Sequence, residues 1–151
     1  MSTSHRHAAT PSWDTYATAT LRSHGTRASE ARAAVIATLA EQDCCASAQE
    51  IHERLRLEGS RVGLASVYRT LDLLQRHDLI TRVDTGDGTA RYEPHDPTGE
   101  HHHHLVCTRC GRVEAFEDGA LERAIHAVGD HVDFRVTGHD ITLRGLCRDC
   151  R

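Results

Sequence analysis

His101-His102-His103-His104-Leu105-Val106-Cys107-Thr108-Arg109-Cys110 joins a run of four histidines to a Cys-x-x-Cys pair. A second pair, Cys147-Arg148-Asp149-Cys150, follows 37 residues after Cys110. Four thiolates at this spacing close a tetrahedral zinc shell, and a closed all-thiolate shell is structural rather than catalytic. Cys107 and Cys110 form one knuckle, and Cys147 and Cys150 tie a distant stretch of chain back onto it. The competing reading is two unrelated thiol pairs that oxidise or stay idle. Along a strand side chains alternate, so His101 and His103 share one face while His102 and His104 share the other. One strand can therefore serve two metal sites, unless the run is only a surface cluster that collects metal adventitiously. A chain that holds one metal permanently and another conditionally reads as a sensor rather than a catalyst.

Outward from this stretch, the chain is 151 residues long, 38% hydrophobic and 26% charged, which suits one domain or two small ones. Net charge is −4 and unevenly spread: residues 1–92 balance 11 Arg against 11 acidic residues, and residues 93–151 set 7 Arg against 11. The acidic excess lies with the metal donors, leaving the first half able to approach a polyanion. There is no signal-peptide pattern and no long apolar run, so the expectation is a cytoplasmic protein without a membrane partner. In that setting six cysteines read as metal ligands before disulfides.

Before the histidines the chain reads as short helices and then a hairpin. Trp13 to Ser23 is the first helix candidate; Ser29 caps a second carrying Val35, Ile36 and Leu39 at helical spacing. Ser47 and Glu50 have the spacing of a capping box for a third, and Val67, Leu71 and Leu74 line one face of a fourth, Leu64 to His77. Leu79–Val83 and Ala90–Glu93 are strand-like, with Asp84-Thr85-Gly86-Asp87-Gly88 between them as a hairpin turn. Helices followed by a two-stranded hairpin form the pattern of a winged helix-turn-helix, whose last helix enters the major groove. Beyond Pro94, Pro97 and Gly99, strands are expected at 101–107, 113–117, 132–136 and 141–146, with a helix at 120–128. The expected fold is α+β: a polar tail at 1–12, a winged-helix domain at 13–93, a hinge at 94–99 and a metal-binding dimerisation domain at 100–151.

The run Gly63-Leu64-Ala65-Ser66-Val67-Tyr68-Arg69-Thr70-Leu71, then Arg91-Tyr92-Glu93, then the histidine run and both cysteine pairs occur in an order that resembles the ferric uptake regulator (Fur) family of metal-sensing repressors. The resemblance covers roughly residues 13–151. It implies a homodimer that binds palindromic double-stranded DNA when a regulatory metal is loaded, with structural Zn2+ in the four-cysteine site. It also implies that Glu122 and His139 join His101 and His103 in one shell, and that Glu93 joins His102 and His104 in the regulatory one. A further family ligand falls at Cys45, where iron and peroxide sensors usually carry histidine; Cys45 either ligates or packs as a small hydrophobe. His95 is the second candidate for that place. On the DNA side the resemblance implies Tyr68 against a thymine methyl or sugar, Arg69 on a phosphate or base edge, and Arg27 and Arg32 near the backbone or minor groove. For Tyr68 the competing role is a core aromatic.

The regulatory metal is Zn2+ or Fe2+. A soft thiolate at Cys45 and the all-histidine run favour zinc, as in zinc-sensing (Zur-like) members, whereas Glu93 favours an iron or peroxide sensor. An enzyme is disfavoured: His52-Glu53-Arg54-Leu55-Arg56 begins like H-E-x-x-H but has Arg56 at the second histidine, and neither G-x-S-x-G nor a deaminase signature appears. A small organic substrate is therefore not expected, and a plain zinc-storage module leaves the winged helix unexplained.

Overall fold

The computed structural model describes residues 11–95 and 102–151. The expected tail up to residue 10, residues 96–99 of the expected hinge and His101 lie outside the described residues. By compactness the chain divides into two units. One runs to Arg82 and takes in Tyr92–His95; the other comprises Val83–Arg91 and the described chain from His102 onward.

In the first unit, α1 (Trp13–Ser23) buries Ala17 and Leu21. Its Trp13 indole N–H donates to the Leu79 carbonyl at 3.0 Å, fastening the start of the helix to chain 66 residues away. Ser29 caps α2 (Glu30–Ala40) by accepting the Arg32 backbone N–H, and Val35, Ile36, Thr38 and Leu39 are buried. Helix α3 (Ala48–Leu57) opens with the expected reciprocal box: the Ser47 hydroxyl accepts the Glu50 N–H at 3.2 Å, and the Glu50 carboxylate accepts the Ser47 N–H at 2.8 Å. Replacing Ser47 with Ala removes one of these bonds and leaves the other without its reciprocal partner. The first unit is expected to lose about 1 kcal/mol of stability, read as a lower urea midpoint at unchanged slope; an unmoved midpoint would show that the box contributes nothing.

Helix α4 (Leu64–Arg76) buries Val67, Thr70, Leu71 and Leu74, positions three and four apart, so the intervening Tyr68 and Arg69 face outward. Strands β2 (Ile80–Asp84) and β3 (Ala90–Pro94) follow, joined by a turn whose Gly86 and Gly88 both have φ near +80°. Asp84 and Asp87 hold it by accepting the backbone N–H groups of Gly86 and Thr89, each at 2.8 Å. A two-residue strand, β1 (Ala46–Ser47), pairs with the hairpin to give the order β1-β3-β2. The sequence carries no pattern for β1, because two residues are too few to show alternation.

The hairpin tip groups with the second unit. There it meets distant chain: a Cβ at Gly86 would stand 2.6 Å from Arg144 Nε, so the guanidinium lies directly on the glycine backbone.

The second unit is built on β4 (His103–Cys107), flanked antiparallel by β5 (Val113–Phe116) and parallel by β6 (Thr142–Gly145). Helix α5 (Gly119–His131) starts at Asp118, whose carboxylate accepts the N–H groups of Ala120 and Leu121 at 2.8 and 2.9 Å. The strand expected at 132–136 does not form. Asp133 adopts φ +49°, which breaks an extended run, and the Phe134 N–H turns back to the Gly129 carbonyl at 3.1 Å. Val132 and Phe134 are left 63% and 71% exposed in the single chain. No helix among the described residues is long and apolar enough to cross a membrane.

Candidate metal centres

Parallel pairing of β4 with β6 sets Cys107 opposite Gly145, and each strand then runs into its own Cys-x-x-Cys turn. Gly111, at φ +74°, closes the first turn with its N–H on the Cys107 carbonyl; the Cys150 N–H closes the second on that of Cys147. Arg109 donates to the Cys150 carbonyl at 2.6 Å and Arg112 to Asp149 at 2.8 Å, so the two knuckles are stitched together around the sulfurs. One sulfur from each of Cys107, Cys110, Cys147 and Cys150 falls within 4.8 Å of the others, and Cys110 and Cys147 approach to 3.7 Å. Tetrahedral Zn–S bonds of about 2.3 Å require sulfur separations of about 3.8 Å, so the donor set fits Zn2+.

The protonation of the cluster points the same way. The Cys147 backbone N–H, at 3.4 Å from Cys107 Sγ, and then the Cys110 N–H hold the Cys107 thiol down to about 6. Cys150 is pushed up to about 12, chiefly by its hydrogen bond with the Cys147 thiol. The first thiolate forms easily and the last is resisted by its crowded neighbours. A dication removes that resistance.

On β4 the imidazoles alternate as the strand period requires. His103, 2% exposed, faces α5: its Nε2 lies 2.5 Å from Glu122 Oε1, and His139 Nε2 reaches the same oxygen at 3.2 Å. These three side chains form one donor group. His101, the fourth expected member, is outside the described residues. On the other face, His102 and His104 lie edge to face with ring centroids 5.1 Å apart.

In the first unit a second pair of donors converges. Cys44 Sγ and a Glu93 carboxylate oxygen lie within 4.8 Å of each other, because β1 pairs with β3 and so carries the residues just ahead of it to Glu93. The thiol brought there is Cys44, not the expected Cys45, which joins no donor group among the described residues. Consecutive side chains leading into a strand point to opposite sides, so only one of two adjacent cysteines can aim at Glu93. The doubled Cys44-Cys45 was the available signal, and its parity was undecidable without the β1–β3 pairing. His95, the alternative donor, is also placed elsewhere: it is exposed, its N–H is taken by the Leu79 carbonyl at 3.0 Å, and its Nδ1 faces the Thr81 hydroxyl at 3.4 Å.

Residues 23–144 match the Ferric uptake regulator family. The ferric uptake regulation protein of Legionella pneumophila is 37% identical over 105 residues, 70% of this chain and 76% of the relative. The chain belongs to the Fur family. Two solved structures share the fold: the Vibrio cholerae ferric uptake regulator (TM-score 0.78, 29% identity, 86% of this chain and 98% of that one) and the Helicobacter pylori regulator Fur (TM-score 0.80, 26% identity, 92% and 91%). Fur-family proteins are metal-responsive transcription regulators that bind DNA and act as dimers, so this chain is a regulator and not an enzyme. In the H-E-x-x-H-like stretch, Glu53 pairs with Arg56 at 2.8 Å on the exposed side of α3.

As a Fur-family reader of DNA, the chain presents Tyr68 39% exposed on α4, which removes it from the core, with its phenol oxygen accepting from Gln49. Arg69 is exposed and donates to the Ser66 hydroxyl at 3.0 Å. Arg27 is exposed in the turn before α2. Arg32 is half-buried and its guanidinium donates to the Arg27 carbonyl at 2.5 Å, so it shapes that turn. Gln49 had no sequence signal, because its partner lies on another helix.

Proposed function

We propose that this Fur-family regulator is a zinc-responsive repressor of metal-homeostasis genes, binding a palindromic operator as a homodimer when a second zinc is loaded. The observation that carries this reading is the split of donors on and around β4. His103 turns to Glu122 and His139, while His102 and His104 turn away from them as a pair. Neither that pair nor Cys44 with Glu93 completes a coordination shell alone. A single dication shared by the two pairs satisfies both, and is held only in the geometry that brings them together. That difference in bonding between two geometries is what a metal-driven population shift requires. The expected domains at 13–93 and 100–151 are the parts so joined, with the hinge at 94–99 between them.

Zinc is favoured by the thiol of Cys44 and the imidazoles, a softer set than oxygen-rich iron sites use. The structural zinc belongs to the four cysteines, and His103, Glu122 and His139 with His101 make a further shell. The Helicobacter pylori regulator is described as having three functional metal binding sites, the number that this proposal gives the present chain. A homodimer is supported by the apolar side chains that the second unit leaves exposed, Val128, Val132, Phe134, Leu143 and Leu146 among them. On the DNA side, α4 enters the major groove with Tyr68 and Arg69 reading it, and Arg27 reaches the backbone. An iron-responsive reading is supported by the carboxylate of Glu93 and by the ferric uptake name of the Legionella pneumophila relative.

Titrating the metal-stripped dimer with Zn2+ and, anaerobically, Fe2+ while following binding to a selected palindromic duplex decides between them. Zinc at lower free concentration than iron is expected to switch binding on; activation by iron alone would sink the zinc assignment, and affinity independent of both would sink the sensor.

A further inference from the structure

We infer that Gln49 is a positioning residue for DNA reading: it holds the Tyr68 phenol on the open face of α4 with its proton turned outward as a hydrogen-bond donor. The inference rests on the proposal that α4 reads the major groove. Gln49 is the second residue of α3 and Tyr68 the fifth of α4, and the Gln49 amide Nε2 donates to Tyr68 Oη at 3.0 Å. Neither residue supports the core. Helix α3 is anchored by Ala48, Ile51 and Leu55, and α4 by Val67, Thr70, Leu71 and Leu74. A hydrogen bond between two exposed side chains adds little to folding, because water competes for both groups.

Its consequence lies in the phenol. A tyrosine oxygen has one proton to give and lone pairs to receive with. Once a lone pair is taken by the Gln49 amide, the O–H is polarised and points away from α3. Phosphate oxygens and the N7, O6 and O4 atoms of the major groove are acceptors and suit such a donor. The bond also restrains an exposed ring that would otherwise exchange rotamers, reducing the ordering cost of docking. Arg69, one residue on, is restrained in the same way by Ser66 at 3.0 Å. Both side chains proposed to read DNA are thus held before the duplex arrives.

The test is a double-mutant cycle on the zinc-loaded full chain. Fluorescence anisotropy compares the tightest palindromic duplex that wild type selects from a random pool with a scrambled duplex of the same composition. Y68F is expected to weaken the selected duplex about tenfold. Q49L is expected to weaken it about 3- to 10-fold, to change the scrambled duplex far less, and to add nothing in the Y68F background. Q49M, which keeps the stem without the amide, repeats the comparison should Q49L fold poorly. Wild-type affinity in Q49L and Q49M beside a weakened Y68F, or losses that add in full, would overturn the role of Gln49. A Y68F protein equal to wild type on both duplexes would remove the α4 reading itself, and the inference with it.

Discussion

Replacing Cys147 with Ser is expected to unfold the second unit while the first stays folded, the largest effect any single change should have on this protein. The two units differ in what holds them. The first buries Ala17, Leu21, Val35, Ile36, Leu39, Ile51, Leu55, Val67, Leu71, Leu74 and Leu79, an apolar core of its own. From His102 onward, the buried hydrophobic side chains among the described residues are Val106 and Cys107, and the buried polar ones are His103 and His104. Three of those four are metal-donor types. Structural zinc in small domains supplies an apparent binding free energy of about 10–16 kcal/mol at neutral pH, more than the whole stability of many domains. The variant should lose one zinc per chain, lose the protection of β4 and β6 amides against hydrogen exchange, elute as a monomer and bind no operator. The α1–α4 amides should stay protected. Because thiols must give up protons to bind metal, zinc addition to the stripped wild type at neutral pH should release protons, and loading should weaken on acidification. A zinc-free variant that keeps β4 and β6 protected and remains dimeric would show that the cysteines are dispensable.

What could be read from the chain and what could not divides along the range of the interactions. The capping box at Ser47 and Glu50, the buried face of α4 and the two-faced histidine strand are set within a few residues, so spacing alone exposes them. The four-cysteine site was legible at long range only because Cys-x-x-Cys is a paired signal that names its own partner. Two features were hidden because they depend on distant chain, and a third because its local pattern misleads. Cys44 rather than Cys45 meets Glu93 through the β1–β3 pairing. The hairpin tip groups with the second unit through Arg144. The alternating Val132, Phe134 and Val136 look like a strand, yet Asp133 and the return to Gly129 make them a loop. Alternation marks a strand only where the backbone stays extended, and the positive φ of Asp133 ends that extension.

Glu93→Ala and His104→Ala are each expected to abolish the zinc-dependent part of operator binding while leaving the four-cysteine zinc and the fold in place. Glu93 and His104 are both buried, and each belongs to one of the pairs proposed to share the regulatory cation. Removing either leaves at most three donors, so zinc no longer favours one geometry over the other. Coupling free energies of this kind are about 1–3 kcal/mol, so operator affinity should fall roughly 5- to 150-fold at saturating zinc and coincide with that of the metal-stripped wild type. The cysteines supply the sharper contrast. Cys44→Ser exchanges a soft ligand for a hydroxyl, and the zinc concentration needed for half-maximal operator binding should rise at least about tenfold, since even outer-shell changes cost that much. Cys45→Ser should leave that midpoint where it is. Iron, a harder ion, should lose less than zinc on Cys44→Ser, narrowing the preference between the two metals. A midpoint that moves with Cys45 and not with Cys44 would reverse the assignment of the thiol. Zinc-switched binding that survives Glu93→Ala and His104→Ala unchanged would mean that the metal acts elsewhere, leaving the His103, Glu122 and His139 group as the switch.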